Sequence, residues 1–365
     1  MSIKFFKINK LVFLILILVL KSNIYSQIET EILNDSIVIN KNNIPFFTNR
    51  PIILNADSNV NFKNKSTKKT NTLYFCTIDY LHDTISVNYK AVNKSNKYPV
   101  GQIDHNFMYD IYEYHRLERG IKNFYIVVGG YGKTFNQQIQ SYTKRIKSHY
   151  ADSLLNTALF VTFAWGTEND AYQYYNAVRK SKNGAADFAI FQHMLDEFMS
   201  DTTYFETHPK DLTIDILFSS MGNDLFRFYL EERKKQNIEL VKTYDRIIFQ
   251  GSVAPRNSLK KDKAFGELYK MTDTVDVYVN KRDALLSLSS FLEARGRLGN
   301  YGPVAVNKIP DYVNIIHLEN ILSIRDITGL GHDYILTNPI MQKEILVDIK
   351  KNIVSKSQTK QVKTE

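Results

Sequence analysis

Cysteine is almost missing from this chain: Cys76 is the only one in 365 residues. A single thiol excludes an intrachain disulfide framework and any zinc module built on cysteine pairs. Proline is scarce, with 8 residues, and charged residues make up 23% against 44% hydrophobic. That balance excludes a largely disordered chain. A basic body is missing too. The formal net charge is +9, but residues 1–26 hold four lysines and no acid, and residues 351–365 hold four lysines against Glu365. Only two of the nine excess charges belong to the rest, so nothing indicates a nucleic-acid surface.

Long hydrophobic runs are also lacking. The main one, Leu11–Leu20, is far short of the roughly 20 residues that span a bilayer. Lys4, Lys7 and Lys10 precede it, and Lys21 and the polar Ser22–Ser26 follow. Basic flank, short apolar core and small residue make a signal peptide over residues 1–26, cleaved after Ser26. No cysteine follows the apolar run, so a lipoprotein anchor is not expected. The expected protein is exported, periplasmic or extracellular, with no stable membrane span after signal cleavage. Nothing in the sequence fixes its oligomeric state.

Residues 27–70 are rich in Asn, Lys, Ser and Thr, with one apolar patch at Ile44–Phe47. They read as a polar, irregular leader. Leu73–Ile78 and Thr84–Tyr89 are β-prone and flank a short turn. A rhythm then begins. Apolar runs at Phe124–Val128, Ala158–Trp165, Leu212–Phe218, Arg246–Phe249, Val275–Val279 and Val313–Leu318 have the length of strands. Tyr142–Tyr150, Asp170–Lys180, Asn223–Lys235 and Ala284–Ala294 between them have helical spacing. Strands alternating with helices predict a mainly parallel sheet of about eight strands with helices on both faces. This α/β domain spans 71–350, and residues 351–365 form a basic, flexible tail.

In such a sheet, sites collect beyond the carboxyl ends of the strands. After Leu212–Phe218 comes Ser219-Ser220-Met221-Gly222-Asn223 and then a helix. Strand, serine turn, glycine and helix is the layout that lifts a serine hydroxyl above a sheet, and Ser220 has the glycine two positions on. A serine there also serves as a plain helix cap. Asp283 follows Val275–Val279, and His332 lies in the glycine-flanked loop after Val313–Leu318. The order Ser, Asp, His suits nucleophile, orienting acid and base: the imidazole takes the hydroxyl proton and the carboxylate fixes its tautomer. Gly129-Gly130-Tyr131-Gly132-Lys133 ends the first strand of the series. Its Tyr131 N–H, with that of Met221, is a candidate pair of oxyanion donors. A phosphate loop is the competing reading, but the G-x-x-x-x-G-K-[ST] pattern is absent. Trp165 and the cluster Tyr172, Tyr174 and Tyr175 are candidates for an aromatic substrate wall, or for the packing of a cap. The histidines show no ligand spacing, so no metal or other cofactor is expected.

Residues about 73–345 resemble a bacterial α/β-hydrolase family of poorly characterised proteins in the esterase/lipase superfamily. The resemblance rests on Gly129-Gly130-Tyr131-Gly132, Phe163-Ala164-Trp165-Gly166, Ser219-Ser220-Met221-Gly222-Asn223, Asp283-Ala284-Leu285, Arg297-Leu298-Gly299 and Gly331-His332-Asp333-Tyr334, in the family's order. It implies an α/β-hydrolase fold with Ser220 as nucleophile, Asp283 as acid and His332 as base. The chain departs from the family pattern at Gly129 and Ser219, where histidines are usual, at Gly166 and Arg256, and at Phe218, where a small residue is usual. The expected activity is cleavage of a small-molecule or lipid-like carboxylic ester by a Ser-His-Asp triad and an acyl-enzyme. An amidase or peptidase using the same groups is one alternative. A non-catalytic binding or surface-assembly protein, with Phe218 crowding the turn, is the other.

Overall fold

A computed structural model describes residues 30–32, 43–54, 60–63, 72–79, 84–92, 106–131, 134–135, 138–139, 158–167, 173–323 and 331–361. The expected signal peptide, the helix expected over Tyr142–Tyr150 and the wall residue Tyr172 lie outside them. Twelve strands are described: β1 (Thr30–Ile32), β2 (Asn43–Thr48), β3 (Ile52–Leu54), β4 (Val60–Phe62), β5 (Thr72–Asp79), β6 (Thr84–Val92), β7 (Asn123–Val128), β8 (Ala158–Ala164), β9 (Thr213–Ser219), β10 (Tyr244–Gln250), β11 (Thr272–Val279) and β12 (Val313–His317). Ten join one sheet in the order β1-β6-β5-β2-β8-β7-β9-β10-β11-β12, and β3 and β4 form a separate ribbon. Within the ten-stranded sheet only the described β2–β5 and β5–β6 pairings are antiparallel, so that sheet is mainly parallel, as expected.

Alternation along the central strands supplies two cores. Ile214, Ile216 and Phe218 of β9 and Phe124, Ile126 and Val128 of β7 face one. Leu217, Tyr125 and Val127 face the other, because successive side chains of a strand point to opposite faces. The first core is covered by α1 (Phe107–Tyr112), α2 (Tyr174–Ser200) and α4 (Gly222–Lys235), with α3 (Thr202–Thr207) between the last two. After β11 come α5 (Ala284–Leu292) and α6 (Leu298–Tyr301), and after β12 come α7 (Tyr334–Thr337) and α8 (Pro339–Gln361). Helices α7 and α8 cover the second core through Ile335, Met341, Ile345 and Ile349. Helices therefore lie on both faces, and a strand such as β9 is buried along its whole length.

Two expectations need correction. Residues 27–70 are not simply an irregular leader, because β2 is inserted between β5 and β8 in the interior of the sheet. Phe46 and Phe47 are buried, and the Phe47 ring lies 5.2 Å from Phe75 and 4.9 Å from Phe191. The Thr48 hydroxyl donates to the Ala164 carbonyl at 2.6 Å, and Asn49 bonds Asp187 at 2.8 Å. With β1, this strand takes the sheet from about eight strands to ten. The basic tail is the second case. Helix α8 continues to Gln361, since Asn338 caps its start through Ile340 N–H and Met341 N–H and no Gly or Pro follows to stop it.

The position of β2 is testable. Phe47→Ala should destabilise the protein by about 3–5 kcal/mol in urea unfolding, the usual cost of deleting a buried phenyl ring. A loss under about 0.5 kcal/mol, typical of a surface change, would mean that residues 43–48 stand outside the cooperative core.

Candidate active site

The turn between β9 and α4 is only two residues long, Ser220 and Met221. Ser220 has φ 53°, the left-handed region that costs a non-glycine residue about 1–3 kcal/mol unless its surroundings enforce it. They do. Ser220 N–H donates to the Gln250 carbonyl of β10 at 2.8 Å. The Asn223 side-chain amide donates to the carbonyls of Phe218 at 2.8 Å and Ser220 at 2.9 Å. Two glycines let the turn after β7 close on this one. A Cβ on Gly222 would lie 2.6 Å from the Val128 carbonyl oxygen, and one on Gly130 would lie 2.6 Å from Ser220 Cβ and 3.1 Å from its Oγ. Phe218 does not crowd the turn. Its ring stacks on Phe226 of α4 with centroids 4.1 Å apart, in the core beneath the helix.

Asp283 and His332 meet at the same end of the sheet. Asp283 is fully buried and caps α5, its Oδ1 accepting from Leu286 N–H at 2.9 Å. Its Oδ2 lies 2.6 Å from His332 Nδ1. A carboxylate at Nδ1 fixes the proton there and leaves Nε2 as the ring's basic nitrogen. The ring rests on Gly251 (φ 52°), where a Cβ would stand 2.8 Å from Cε1 and 3.0 Å from Nδ1. The loop is held by three hydrogen bonds from two side chains. Asn280 donates to the Gly331 carbonyl at 2.6 Å. Gln250 donates from Nε2 to the His332 carbonyl at 3.1 Å, and its Oε1 accepts from Ile335 N–H at 3.1 Å.

Of the two expected oxyanion donors, Met221 follows Ser220 in the chain and Tyr131 follows Gly130, which packs on Ser220. Met221 N–H makes no hydrogen bond among the described residues. For Tyr131, the carbonyl before it is decisive. Gly130 C=O accepts from Gln138 Nε2 at 3.3 Å, and in a trans peptide the next N–H points the opposite way. Tyr131 N–H therefore points away from Gln138.

Trp165 requires a correction. It is fully buried, and its Nε1–H donates to the Gly129 carbonyl at 2.7 Å. It anchors the glycine turn from below and lines no substrate wall, because the indole is fully buried in the first core with Gly184 of α2 against it. Tyr174 is buried, its hydroxyl donating to Glu293 at 2.7 Å and accepting from Arg297 at 2.8 Å. Burial alone would raise the Glu293 carboxyl, but hydrogen bonds from Arg297 and Tyr174 and the Arg297 and Arg295 charges hold it below its ordinary value. Tyr175 is exposed and donates to the Leu292 carbonyl at 2.7 Å, so the start of α2 is fastened to the end of α5.

A family model described as "Alpha/beta hydrolase of unknown function (DUF900)" matches residues 114–349, about two thirds of the chain. The chain belongs to this family. No curated protein matches it. The alpha/beta hydrolase match takes in β7 to β12 and Ser220, Asp283 and His332, while β1 to β6 precede it. Within this hydrolase domain, sequence reasoning missed Gln250, Gln138, Asn223 and Asn280, which position the candidate groups without being among them. Gln250 and Asn280 carry one signal, a polar side chain directly after an apolar run, as with Gln250 after Arg246–Phe249, and Gln138 carries none.

Gly251→Ala should leave the far-ultraviolet dichroism intact and slow covalent labelling of Ser220 by a fluorophosphonate about 100-fold, the scale of a 1 Å misplacement. Labelling at the wild-type rate would show that the ring can leave Gly251 without consequence.

Proposed function

We propose that this alpha/beta hydrolase is an exported serine hydrolase that cleaves a carboxylic ester through an acyl-enzyme. The observation that carries the reading is the 2.6 Å contact of His332 Nδ1 with Asp283 Oδ2, made by a ring seated on Gly251 next to the Ser220 turn. A serine hydroxyl barely ionises near neutrality, so it needs a base in place. Ser220 Oγ attacks the ester carbonyl while His332 Nε2 takes its proton. Asp283 holds the Nδ1 proton and stabilises the imidazolium. The amides of Met221 and Tyr131 receive the charge that develops on the carbonyl oxygen. His332 then protonates the leaving alkoxide, and the ester C–O bond breaks. Water, deprotonated by His332, attacks the acyl-Ser220; the acyl–Oγ bond breaks as His332 returns the proton to Ser220 Oγ, and the acid leaves.

The chemistry calls on no cofactor. Export is supported by the lysine-flanked apolar run of residues 1–26. The family resemblance favours esters, while an amide would use the same groups. A small-molecule or lipid-like acyl ester is the proposed substrate.

Fluorophosphonate should label the wild type, and Ser220→Ala should abolish the label; equal labelling of both, or of neither, overturns the assignment. Asp283→Asn should lower kcat for 4-nitrophenyl butyrate about 10⁴-fold, the cost of the wrong histidine tautomer. A parallel panel of short-chain esters and peptide anilides reads the bond preference. Faster turnover of anilides at equal concentration would replace esterase by amidase.

A further inference from the structure

Helix α5 starts at the candidate acid and ends at a basin that the hydrolase reading leaves unused. The basin has a volume of about 450 Å³ and is lined by Arg256, Ser287, Ser290, Phe291, Arg295 and Tyr301. At a rise of about 1.5 Å per residue, Ser290 is about 10 Å along the helix from Asp283. The volume falls within the range of small-molecule sites.

The basin is built to keep a guanidinium in place. Arg256 donates from Nε to the Gly302 carbonyl at 2.9 Å and from Nη2 to the carbonyls of Pro303 at 3.2 Å and Tyr301 at 3.4 Å. All three acceptors are neutral, and Nη1 has no protein partner among the described residues. Glycine at 296 makes the placement possible, since a Cβ there would stand 2.8 Å from Arg256 Cδ and 3.3 Å from the Tyr301 ring. Arg295 and the buried Arg297 share one carboxylate, Glu293, at 2.5 and 2.8 Å. Two guanidiniums thus share one acid, and Arg256 at the basin has no acid of its own, so positive charge is left over.

The remaining walls describe the rest of the ligand. Phe291 is 80% exposed and Tyr301 48% exposed, so two aromatic rings stand at the rim beside the charge. A guanidinium matches the paired oxygens of a carboxylate or phosphate, and exposed rings match a flat apolar body.

We infer that the Arg256 basin is a second ligand site, separate from Ser220, for an oxyanion, carboxylate or phosphate, carried on an aromatic or acyl body. The inference does not depend on the hydrolase reading.

Calorimetric titration of the wild type with phenyl phosphate and with benzoate tests it, with benzyl alcohol as the uncharged ring. At least one anionic probe should bind saturably and weaken with added salt, and benzyl alcohol should not bind. The probe that binds tells phosphate from carboxylate. Arg256→Gln should weaken that binding at least tenfold, and so should Gly296→Val, whose side chain displaces Arg256 and crowds the basin without removing charge. Circular dichroism shows that both variants fold, and fluorophosphonate labelling of Ser220 should stay within twofold of wild type in Arg256→Gln. No saturable binding of either anion, or equal affinity in wild type and both variants, overturns the site. The readouts are separate, so a failed Ser220 assignment and a failed basin cannot be confused.

Discussion

The candidate site depends on one amide side chain at the carboxyl end of β10. Gln250 gives its main-chain carbonyl to Ser220 N–H and its side chain to the His332 carbonyl and Ile335 N–H. The serine turn and the histidine loop, separated by more than a hundred residues, are thus referred to the same point of the sheet. Because β10 lies between β9 and β11, the same strand also fixes how far the Asp283 end stands from the Ser220 end. A buried amide with both ends bonded is worth keeping only if both partners stay in place, which makes this a rigid coupling.

Close approach is the second constraint, and glycine supplies it at three places. Gly130 and Gly222 allow the β7 turn, the β9 turn and the first turn of α4 to touch backbone to backbone, and Gly251 gives His332 a flat seat. The left-handed Ser220 is the one strained residue at the centre of these contacts. Its strain is held by hydrogen bonds from Asn223 and to Gln250. Trp165, from below, pins Gly129 and so keeps the glycine turn at the height of the serine.

Phe218, Ser219 and Arg256, residues that flank the candidate site, also find physical places. Phe218 adds to an aromatic stack with Phe226, Phe188 and Phe249 under α4. Ser219 Oγ accepts from Gln250 Nε2 at 3.3 Å, joining the coupling described above. Arg256 braces the loop over residues 301–303 and lines the basin beside α5. Ser220, Asp283 and His332 lie at one edge of the sheet, and the Asp283–His332 contact is made there.

The sequence by itself determined what periodicity and local chemistry can carry. Apolar runs of strand length placed β7 to β12, and turn residues at their carboxyl ends marked Ser220, Asp283 and His332, because in a parallel sheet those ends share one edge. It could not place β2, whose Asn43–Thr48 is a short patch in polar surroundings and becomes interior only by pairing with β5 and β8, segments far along the chain. Nor could it tell that Trp165 faces inward, since an aromatic at a strand end reads alike as wall or as core until the helix above it is known. Gln250, Gln138 and Asn280 are ordinary polar residues in sequence. Only the tertiary structure decided their work, because a hydrogen bond between distant segments leaves no period, spacing or composition for one chain to display.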